Sequence, residues 1–281
     1  MDIYQKITDK LIESLENGVK PWAKPWKNTS SGNSALPHNA VTGRNYNGIN
    51  FLALCMSEYD STAWLTFKQA KNLGGSVKKG EKATAIVFWN FGKNEDKDTG
   101  KQSTWAMAKS YNVFNVDQCE GLTLPKRRNI PTTEHSTVLE LAESVGATVT
   151  HGSNRAAYYP SQDMITMPHQ SQFTNCNHYS ATLLHELTHW TAHASRLDRN
   201  LQGRFGSDSY AMEELVAEIG SAYLCALQGV DATTLQHDSY LASWLKVLKG
   251  DKKAIFTASS KARIAAEFIT GETDHDQREA A

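Results

Sequence analysis

The chain has 281 residues, of which 40% are hydrophobic and 21% charged, and its formal net charge is -1. This length and composition suit one large domain or two of ordinary size, and they exclude a disordered tail protein, a collagen-like repeat and a disulfide miniprotein. Residues 1–125 carry 15 Lys and Arg against 12 Asp and Glu, whereas the remainder carries 14 against 18. Halves of opposite sign predict two domains with different partners, the basic one a candidate for binding nucleic acid.

The location of the protein is predicted from its N-terminus and its cysteines. Acidic residues are scattered through the first 18 positions, unlike a secretory signal, and no stretch approaches the ~18 consecutive apolar residues of a membrane helix. The four cysteines lie at least 49 residues apart and form no CxxC pair, which is typical of unpaired thiols in a reducing cytosol. We therefore expect a cytoplasmic protein with no membrane partner.

In chain order, the first predicted element is an amphipathic helix. Its apolar residues recur every four positions over 3–15 and stop at Gly18, a residue suited to a helix C-cap. Two short helices are predicted next, one capped by Asn50 and one capped by Thr62. The aromatic residues Trp64 and Phe67 lie in this regular pattern and are predicted to build the core.

The rest of the first half is predicted to be β-rich. A strand is expected over 84–91 and β structure over 103–115, with a charged loop between them. The following residues combine two prolines with a basic cluster, and they predict a linker over 126–136 that separates a domain of residues 1–125 from one of 137–281.

The second half is predicted to alternate short strands with longer helices. After a helix over 137–145, three short strands precede helical periodicity over 179–194, 210–228, 235–249 and 252–270, and the last eleven residues form a solvated tail. Both halves are therefore predicted to be α+β.

The clearest chemical signal is the sequence His185-Glu186-Leu187-Thr188-His189. With 10 His and 16 Glu in the chain, chance would produce HExxH roughly 0.02 times. Spacing of four places both imidazoles on one helix face, where they can bind one Zn²⁺. Glu186 is then placed to take a proton from the metal-bound water and pass it to a leaving amine. Zn²⁺ is the expected cofactor, with another divalent metal as the alternative.

A third ligand is expected from the helix over 210–228. Glu214 and Glu218 share a face of that helix, whereas Glu213 points about 100° away. We expect Glu214 to bind the metal and Glu218 to accept a hydrogen bond that orients a histidine ring. The alternative is that these are exposed acids on a helix surface. His193 lies eight residues from His185, about 12 Å along a helix axis, so it is not expected to share the metal.

The basic half contains a segment in which aromatic and basic residues alternate, Lys20-Pro21-Trp22-Ala23-Lys24-Pro25-Trp26-Lys27. Aromatic faces stack on bases without reading sequence, while lysines follow the phosphates, so single-stranded nucleic acid is the expected ligand. The residues predicted to bind DNA are Trp22, Lys24, Trp26, Lys27, Tyr46, Lys78 and Lys79. The alternative is that the lysines form solvated faces and the aromatic residues belong to the core.

Long segments of the first half resemble the N-terminal domain of ArdC-type antirestriction proteins, among them YQKITDKLIESLENGVKPWAKPW, TGRNYNGIN and AWLTFKQAKNLGGSVKKGEKA. The second half resembles the zincin metallopeptidase domain of the same proteins through YYPSQDMITMP, YSATLLHELTHWTAHASRLDR and YAMEELVAEIGSAYLCA. The resemblance implies a domain that binds single-stranded DNA with little sequence preference, a zincin-like fold, and protection of incoming plasmid DNA from host restriction. It names no peptide substrate.

Three hypotheses follow. The first is an antirestriction protein that binds single-stranded DNA and carries a zinc metallopeptidase site, whose substrate would be a protein bound to that DNA. The second is a protein that coats entering single strands and whose metal is only structural. The third is a plain metallopeptidase whose first domain binds a protein and has no affinity for DNA.

Overall fold

The computed structural model describes residues 2–23, 35–95, 102–125, 137–201, 207–231 and 240–271, so the predicted linker and nearly all of the tail lie outside the described residues. The helices are α1 (Ile3–Glu16), α2 (Gly48–Cys55), α3 (Phe67–Asn72), α4 (Val138–Ser144), α5 (Cys176–Trp190), α6 (Asp208–Gln228), α7 (Leu241–Gly250) and α8 (Ala254–Thr270). The strands are β1 (His38–Asn39), β2 (Ala63–Leu65), β3 (Ser76–Val77), β4 (Thr84–Glu95), β5 (Gln102–Asn115), β6 (Cys119–Glu120), β7 (Thr148–His151), β8 (Ala157–Tyr159) and β9 (Met164–Met167). Both halves mix helices with strands, which confirms the predicted α+β class.

Within the described residues, the strands form three sheets. The first has the order β1-β2-β5-β4 and is dominated by the long antiparallel pair of β4 and β5, while β3 and β6 form a small separate pair. In the third sheet, β9 lies between β7, its parallel neighbour, and β8, its antiparallel neighbour. Strand β8 is therefore an edge strand of the sheet that packs against α5.

The predicted start of the second helix was wrong by three residues. Helix α2 begins after Asn47, and the Asn50 side chain instead bonds both backbone groups of Val87, accepting from its N–H at 2.7 Å and donating to its C=O at 2.8 Å. An asparagine side chain can hydrogen-bond the backbone groups of a helix end or those of a neighbouring strand, and here it bonds the strand.

The predicted cap of the third helix was also wrong. Residues Ala63–Leu65 form β2, so α3 begins after Thr66 rather than after Thr62. Thr66 and Gln69 form a reciprocal capping box, which Thr62 cannot do because Leu65 stands three positions after it. Strand β4 likewise continues past residue 91 to Glu95, because β5 pairs with it over that whole length.

Elements from both halves share one hydrophobic core. Ile7, Leu11 and Leu15 of α1 belong to the same buried cluster as Trp244 and Leu248 of α7. Helix α2 packs against α8 in the same way. The N-terminal half is therefore joined to the C-terminal half by continuous apolar packing as well as by the chain between them.

Helix α6 lies between two apolar clusters. Leu215, Val216 and Ile219 face the cluster shared with α1, whereas Leu224 and Cys225 face a second cluster built by α4, α5 and the third sheet. Burial on both sides explains why the acidic residues of this helix are buried rather than exposed.

The contact between α5 and α6 depends on the absence of a side chain at Gly220. A Cβ placed on Gly220 would lie 2.7 Å from Cγ2 and 3.1 Å from Oγ1 of Thr188, which is closer than ordinary van der Waals contact. Beside it, the Ser221 hydroxyl donates to the Ala181 carbonyl of α5 at 2.9 Å. The two helices are thus held at close approach.

We expect Gly220→Ala to lower the free energy of unfolding by about 1–3 kcal/mol, because the added methyl group overpacks the helix contact. Gly250→Ala is the matched control, since Gly250 also lies in a helix and a Cβ there meets nothing within 4 Å. That variant should leave stability unchanged or raise it by up to about 1 kcal/mol. Urea denaturation measures both, and equal effects would contradict the packing explanation.

Candidate metal centre

Three side chains from α5 and α6 meet at one point. Nε2 of His185 lies 3.6 Å from one carboxylate oxygen of Glu214, and Nε2 of His189 lies 3.7 Å from the other. One nitrogen or oxygen atom of each side chain lies within 4.8 Å of the others, and all three side chains are buried or nearly so. The structure therefore brings together the three residues that the sequence predicted as metal ligands.

Local sequence fixes the two helices that carry these residues. Asn175 caps α5 by accepting a hydrogen bond from the His178 backbone at 2.8 Å, and Ser207 caps α6. Helix α6 ends at Gln228 and is capped by Gly229, whose left-handed conformation (φ 70°) suits glycine. Helix α5 ends at Trp190, so His193 lies beyond the helix, where its ring bonds the Ser195 hydroxyl.

The charge around the histidines suits a divalent cation. Among the described residues, four buried carboxylates surround the site, and two of them lie near cations: Glu213 near the guanidinium of Arg199 and Glu218 near the ammonium of Lys20. The buried carboxylates are Glu186, Glu213, Glu214 and Glu218. Buried charges of one sign require compensation, and a divalent metal on neutral imidazoles would supply two positive charges. The donor set therefore fits a metal such as Zn²⁺.

The pKa values of two ligand side chains show the same preference for positive charge. Burial lowers the pKa of His189, but hydrogen bonds with Glu213 and Glu214 outweigh it and raise the pKa to about 10. Burial raises the pKa of Glu214, yet the adjacent imidazoles of His185 and His189 bring it well below its usual value. A divalent cation between these side chains would meet the same carboxylate charge that stabilises the proton on His189.

Glu218 lies beside His185, but at a distance longer than the hydrogen bond that the sequence predicted. Its carboxylate is fully buried, and one oxygen lies 3.7 Å from Nδ1 of His185. This separation is slightly longer than a hydrogen bond, so the interaction is mainly electrostatic. The other oxygen accepts from Nε1 of Trp22 at 3.4 Å and lies 3.9 Å from Nζ of Lys20.

Glu213 has a role that sequence reasoning missed. Its carboxylate lies 3.3 Å from Nδ1 of His189 and accepts two hydrogen bonds from Arg199, at 2.8 and 3.0 Å. Arg199 also donates to the Thr188 carbonyl and to the Thr191 hydroxyl, which fixes it against the end of α5. No motif spacing pointed to Arg199. A buried bidentate pair thus orients the second histidine.

Glu186 lines a cavity of about 380 Å³ together with both histidines. One of its oxygens accepts a hydrogen bond from the Tyr158 backbone N–H of the edge strand β8 at 2.8 Å. The same cavity is lined by Tyr210 and Tyr240, whose hydroxyls lie 3.2 Å apart. Burial, and then the bond with Tyr240, raise the pKa of Tyr210, so its phenol stays protonated at neutral pH.

Two aromatic residues predicted to bind DNA are buried in the core. Trp22 is 3% exposed and packs edge-on against Trp244, and Tyr46 is 7% exposed and accepts a hydrogen bond from the Asn39 side chain. Neither ring presents a face to solvent, which contradicts the prediction that they stack on bases. The other residues of the basic-aromatic segment predicted to bind DNA (Lys24, Trp26 and Lys27) lie outside the described residues.

The remaining predicted DNA contacts lie on the surface. Lys78 and Lys79 are exposed at the end of β3, and Lys78 donates to the Asp117 carbonyl at 2.8 Å. Phe67 was expected in the core, but it is 49% exposed and the ammonium of Lys71 lies 5.1 Å from its ring centre. Phe67 was expected in the core because it lies three residues after Trp64 in a helix predicted to begin after Thr62, whereas Trp64 lies in β2 and α3 begins at Phe67.

We expect Arg199→Met to lower the free energy of unfolding by about 3–5 kcal/mol, because it leaves the Glu213 carboxylate buried without its cation. The control is Arg263→Met, which removes a partly exposed arginine paired with Glu267 along α8 and should cost less than about 1 kcal/mol. The double change Arg199→Met with Glu213→Met should recover part of the loss. Chemical denaturation tests this, and similar losses for both single variants would contradict it.

Comparison with known proteins divides the chain into two matched regions. Residues 1–114 match the family described as the N-terminal domain of anti-restriction factor ArdC, and residues 136–261 match the family described as zincin-like metallopeptidase. None of the described helices is long and apolar enough to span a bilayer.

Solved structures similar to this chain include the antirestriction protein ArdC from plasmid R388. Its metal-free structure is 39% identical, with a TM-score of 0.79, and the match covers 96% of this chain and 97% of that one. Its Mn(II)-bound structure is 38% identical, with a TM-score of 0.78, over 99% of this chain and all of that one.

Curated relatives include a DNA primase TraC of Escherichia coli, 37% identical over 95% of this chain. The chain spans only 20% of the length of that primase, and 27% of a second TraC. An uncharacterised protein y4eC of Sinorhizobium fredii (strain NBRC 101917 / NGR234) is 35% identical over 99% of this chain and 94% of its own length.

Proposed function

The chain belongs to the ArdC family of antirestriction proteins, and we propose that it protects the DNA of a mobile element by binding single strands non-specifically while carrying a zinc metallopeptidase site. The observation that carries this proposal is the convergence of His185, His189 and Glu214 beside Glu186 in an open cavity. We place the activity in the cytoplasm, where single strands of plasmid DNA enter during conjugation.

His185, His189 and Glu214 would hold the metal. Zn²⁺ is the proposed ion because it favours nitrogen and carboxylate ligands, and the Mn(II)-bound relative supports a site that accepts another divalent ion as well. When bound, the metal supplies a Lewis acid that polarises a carbonyl group and lowers the pKa of water.

Glu186 is proposed as the general base. The Tyr158 backbone N–H holds one of its oxygens, so the carboxylate keeps a fixed orientation inside the cavity. From there it would take a proton from water and deliver it to the leaving amine of a peptide. The phenols of Tyr210 and Tyr240 line the same cavity and hydrogen-bond one another, and we propose that one of them donates to the carbonyl oxygen of a bound substrate instead.

We expect Glu186→Gln to lower peptidase turnover by about 10²–10⁴-fold, the range for loss of a general base. Its bound metal should be unchanged, since glutamine keeps an oxygen for the Tyr158 amide. His185→Ala should lose metal and activity together. Metal content is measured by mass spectrometry, and turnover on a labelled unfolded protein with and without single-stranded DNA.

The same variant separates the proposal from a DNA-coating protein with a structural metal. Restriction of an unmodified plasmid entering a restricting host is scored for wild type and for Glu186→Gln. Lost protection supports a role for the peptidase, whereas full protection would show that DNA coating suffices. A wild-type protein that retains no divalent metal would overturn the metal site itself.

The DNA surface is proposed to centre on α3 and β3, where Phe67, Lys71, Lys78 and Lys79 are exposed. We expect Phe67→Ala to weaken binding to a single-stranded oligonucleotide by about 5–150-fold, because one aromatic ring stacked on a base stabilises the complex by ~1–3 kcal/mol. Val41→Ala removes a similarly exposed apolar side chain and should leave affinity unchanged. Fluorescence anisotropy with single-stranded and duplex DNA provides the measurement.

Lysine variants test the electrostatic part of the same surface. The double change Lys78→Met with Lys79→Met should reduce the slope of log affinity against log salt by about 0.7 for each phosphate that the lysines neutralise in the wild type. Lys246→Met is the control, because Lys246 is exposed on α7 and pairs with Asp208. An unchanged slope, or equal changes for both variants, would place the DNA elsewhere on the protein.

A further inference from the structure

Two residues of the N-terminal half reach the carboxylate behind a candidate metal ligand. Nε1 of Trp22 donates to Oε1 of Glu218 at 3.4 Å, and Nζ of Lys20 lies 3.9 Å from the same oxygen. The Trp22 residue and the Glu218 side chain are almost wholly buried, and only 11% of the Lys20 side chain is exposed. The basic-aromatic segment therefore begins inside the molecule, against α6.

The two oxygens of Glu218 have different partners. Oε1 faces the ammonium of Lys20 and the indole N–H of Trp22, whereas Oε2 lies 3.7 Å from Nδ1 of His185. A carboxylate facing Nδ1 of a histidine favours the tautomer that leaves the Nε2 lone pair free for a metal. Nε2 of His185 is the nitrogen directed at Glu214.

We propose that Lys20 and Trp22 are positioning residues for His185, acting through Glu218, so that the N-terminal half sets the metal affinity of the peptidase half. The inference rests on the metal site of the proposed function. A buried carboxylate needs a compensating charge and fixed hydrogen bonds to keep one orientation. Lys20 supplies the charge, and Trp22 supplies a rigid donor.

A second set of contacts leads from Trp22 to two tyrosines that line the same cavity. Its ring packs edge-on against Trp244 at 5.9 Å, and the Trp244 ring lies over Tyr240 at 6.1 Å. The Tyr240 hydroxyl in turn lies 3.2 Å from that of Tyr210. Trp22 thus contacts both the carboxylate beside His185 and the first of the aromatic rings that lead to the cavity tyrosines.

The test measures Mn²⁺ and Zn²⁺ affinity of the full chain by calorimetric titration. Glu218→Gln should weaken metal binding by about 10–100-fold, as expected for a residue that orients a ligand. Trp22→Phe, which keeps the aromatic ring and removes the donor, and Lys20→Met should each weaken it by up to about 10-fold, the lower end of that range. Lys20→Arg keeps the charge and should restore affinity.

A matched control separates positioning from stability. Trp64→Phe makes the same substitution at another fully buried tryptophan, one that packs against Tyr59 in a different cluster. It should leave metal affinity unchanged even if it lowers the melting temperature. If Trp22→Phe does not fold, the pair Lys20→Met and Lys20→Arg makes the same test.

The decisive comparison uses variants combined with Glu218→Gln. If Lys20 and Trp22 act through Glu218, their changes should have no further effect on metal affinity in that background. An unchanged affinity for Trp22→Phe and Lys20→Met, or equal losses with and without Glu218, would overturn the inference. Failure of the wild type to bind metal would overturn the proposed function instead, so the two failures are distinguishable.

Discussion

The candidate site depends on how closely α5 and α6 approach each other. The histidines and Glu186 lie on α5 and the other three glutamates on α6, so the distance between the functional atoms of the two helices is set by their contact at Gly220 and Thr188. Helix α6 is held at this distance from both sides, because one face packs in the core shared with the N-terminal half and the other in the core of the third sheet. Packing thus concentrates four carboxylates that would otherwise repel one another.

The electrostatic arrangement around the two histidines is repeated. A buried carboxylate lies next to each imidazole ring, and a cation from outside the two helices lies next to each of these carboxylates. The two sets are His189–Glu213–Arg199 and His185–Glu218–Lys20. The first set is tight, with a bidentate pair, whereas the second is looser and its cation comes from the other half of the chain. The two ligands are therefore supported by different parts of the protein.

Sequence reasoning identified what depends on local spacing. The i, i+4 pattern of His185 and His189 and the acidic face of α6 are properties of single helices, and the helix and strand types of most elements followed from periodicity. It could not find Arg199, because its role depends on a turn after α5 that returns the chain towards Glu213. It also assigned no function to Glu213. The position of a side chain around its own helix does not show which residues of other elements it contacts.

Aromatic residues were the least predictable, for a physical reason. The same ring can stack on a base or fill a core, and burial decides between them. Trp22 and Tyr46 were predicted to bind DNA and are buried, whereas Phe67 was predicted to be buried and is half exposed. For Trp22 the difference arises from its contact with Trp244 of α7, and for Tyr46 from a cluster with Trp64 and Val113, tertiary contacts that no local pattern reveals.

The shared core limits how the two halves can recombine during evolution. A domain with a complete hydrophobic core of its own can recombine with a new neighbouring domain. Here, however, α1 and α2 complete the packing of α7 and α8. Recombination between the halves would leave two open apolar faces, whereas recombination at their outer borders would leave the core whole. The match of 95% of this chain to a fifth of the TraC primase is the pattern that such a constraint favours, with both halves transferred together as one evolutionary unit.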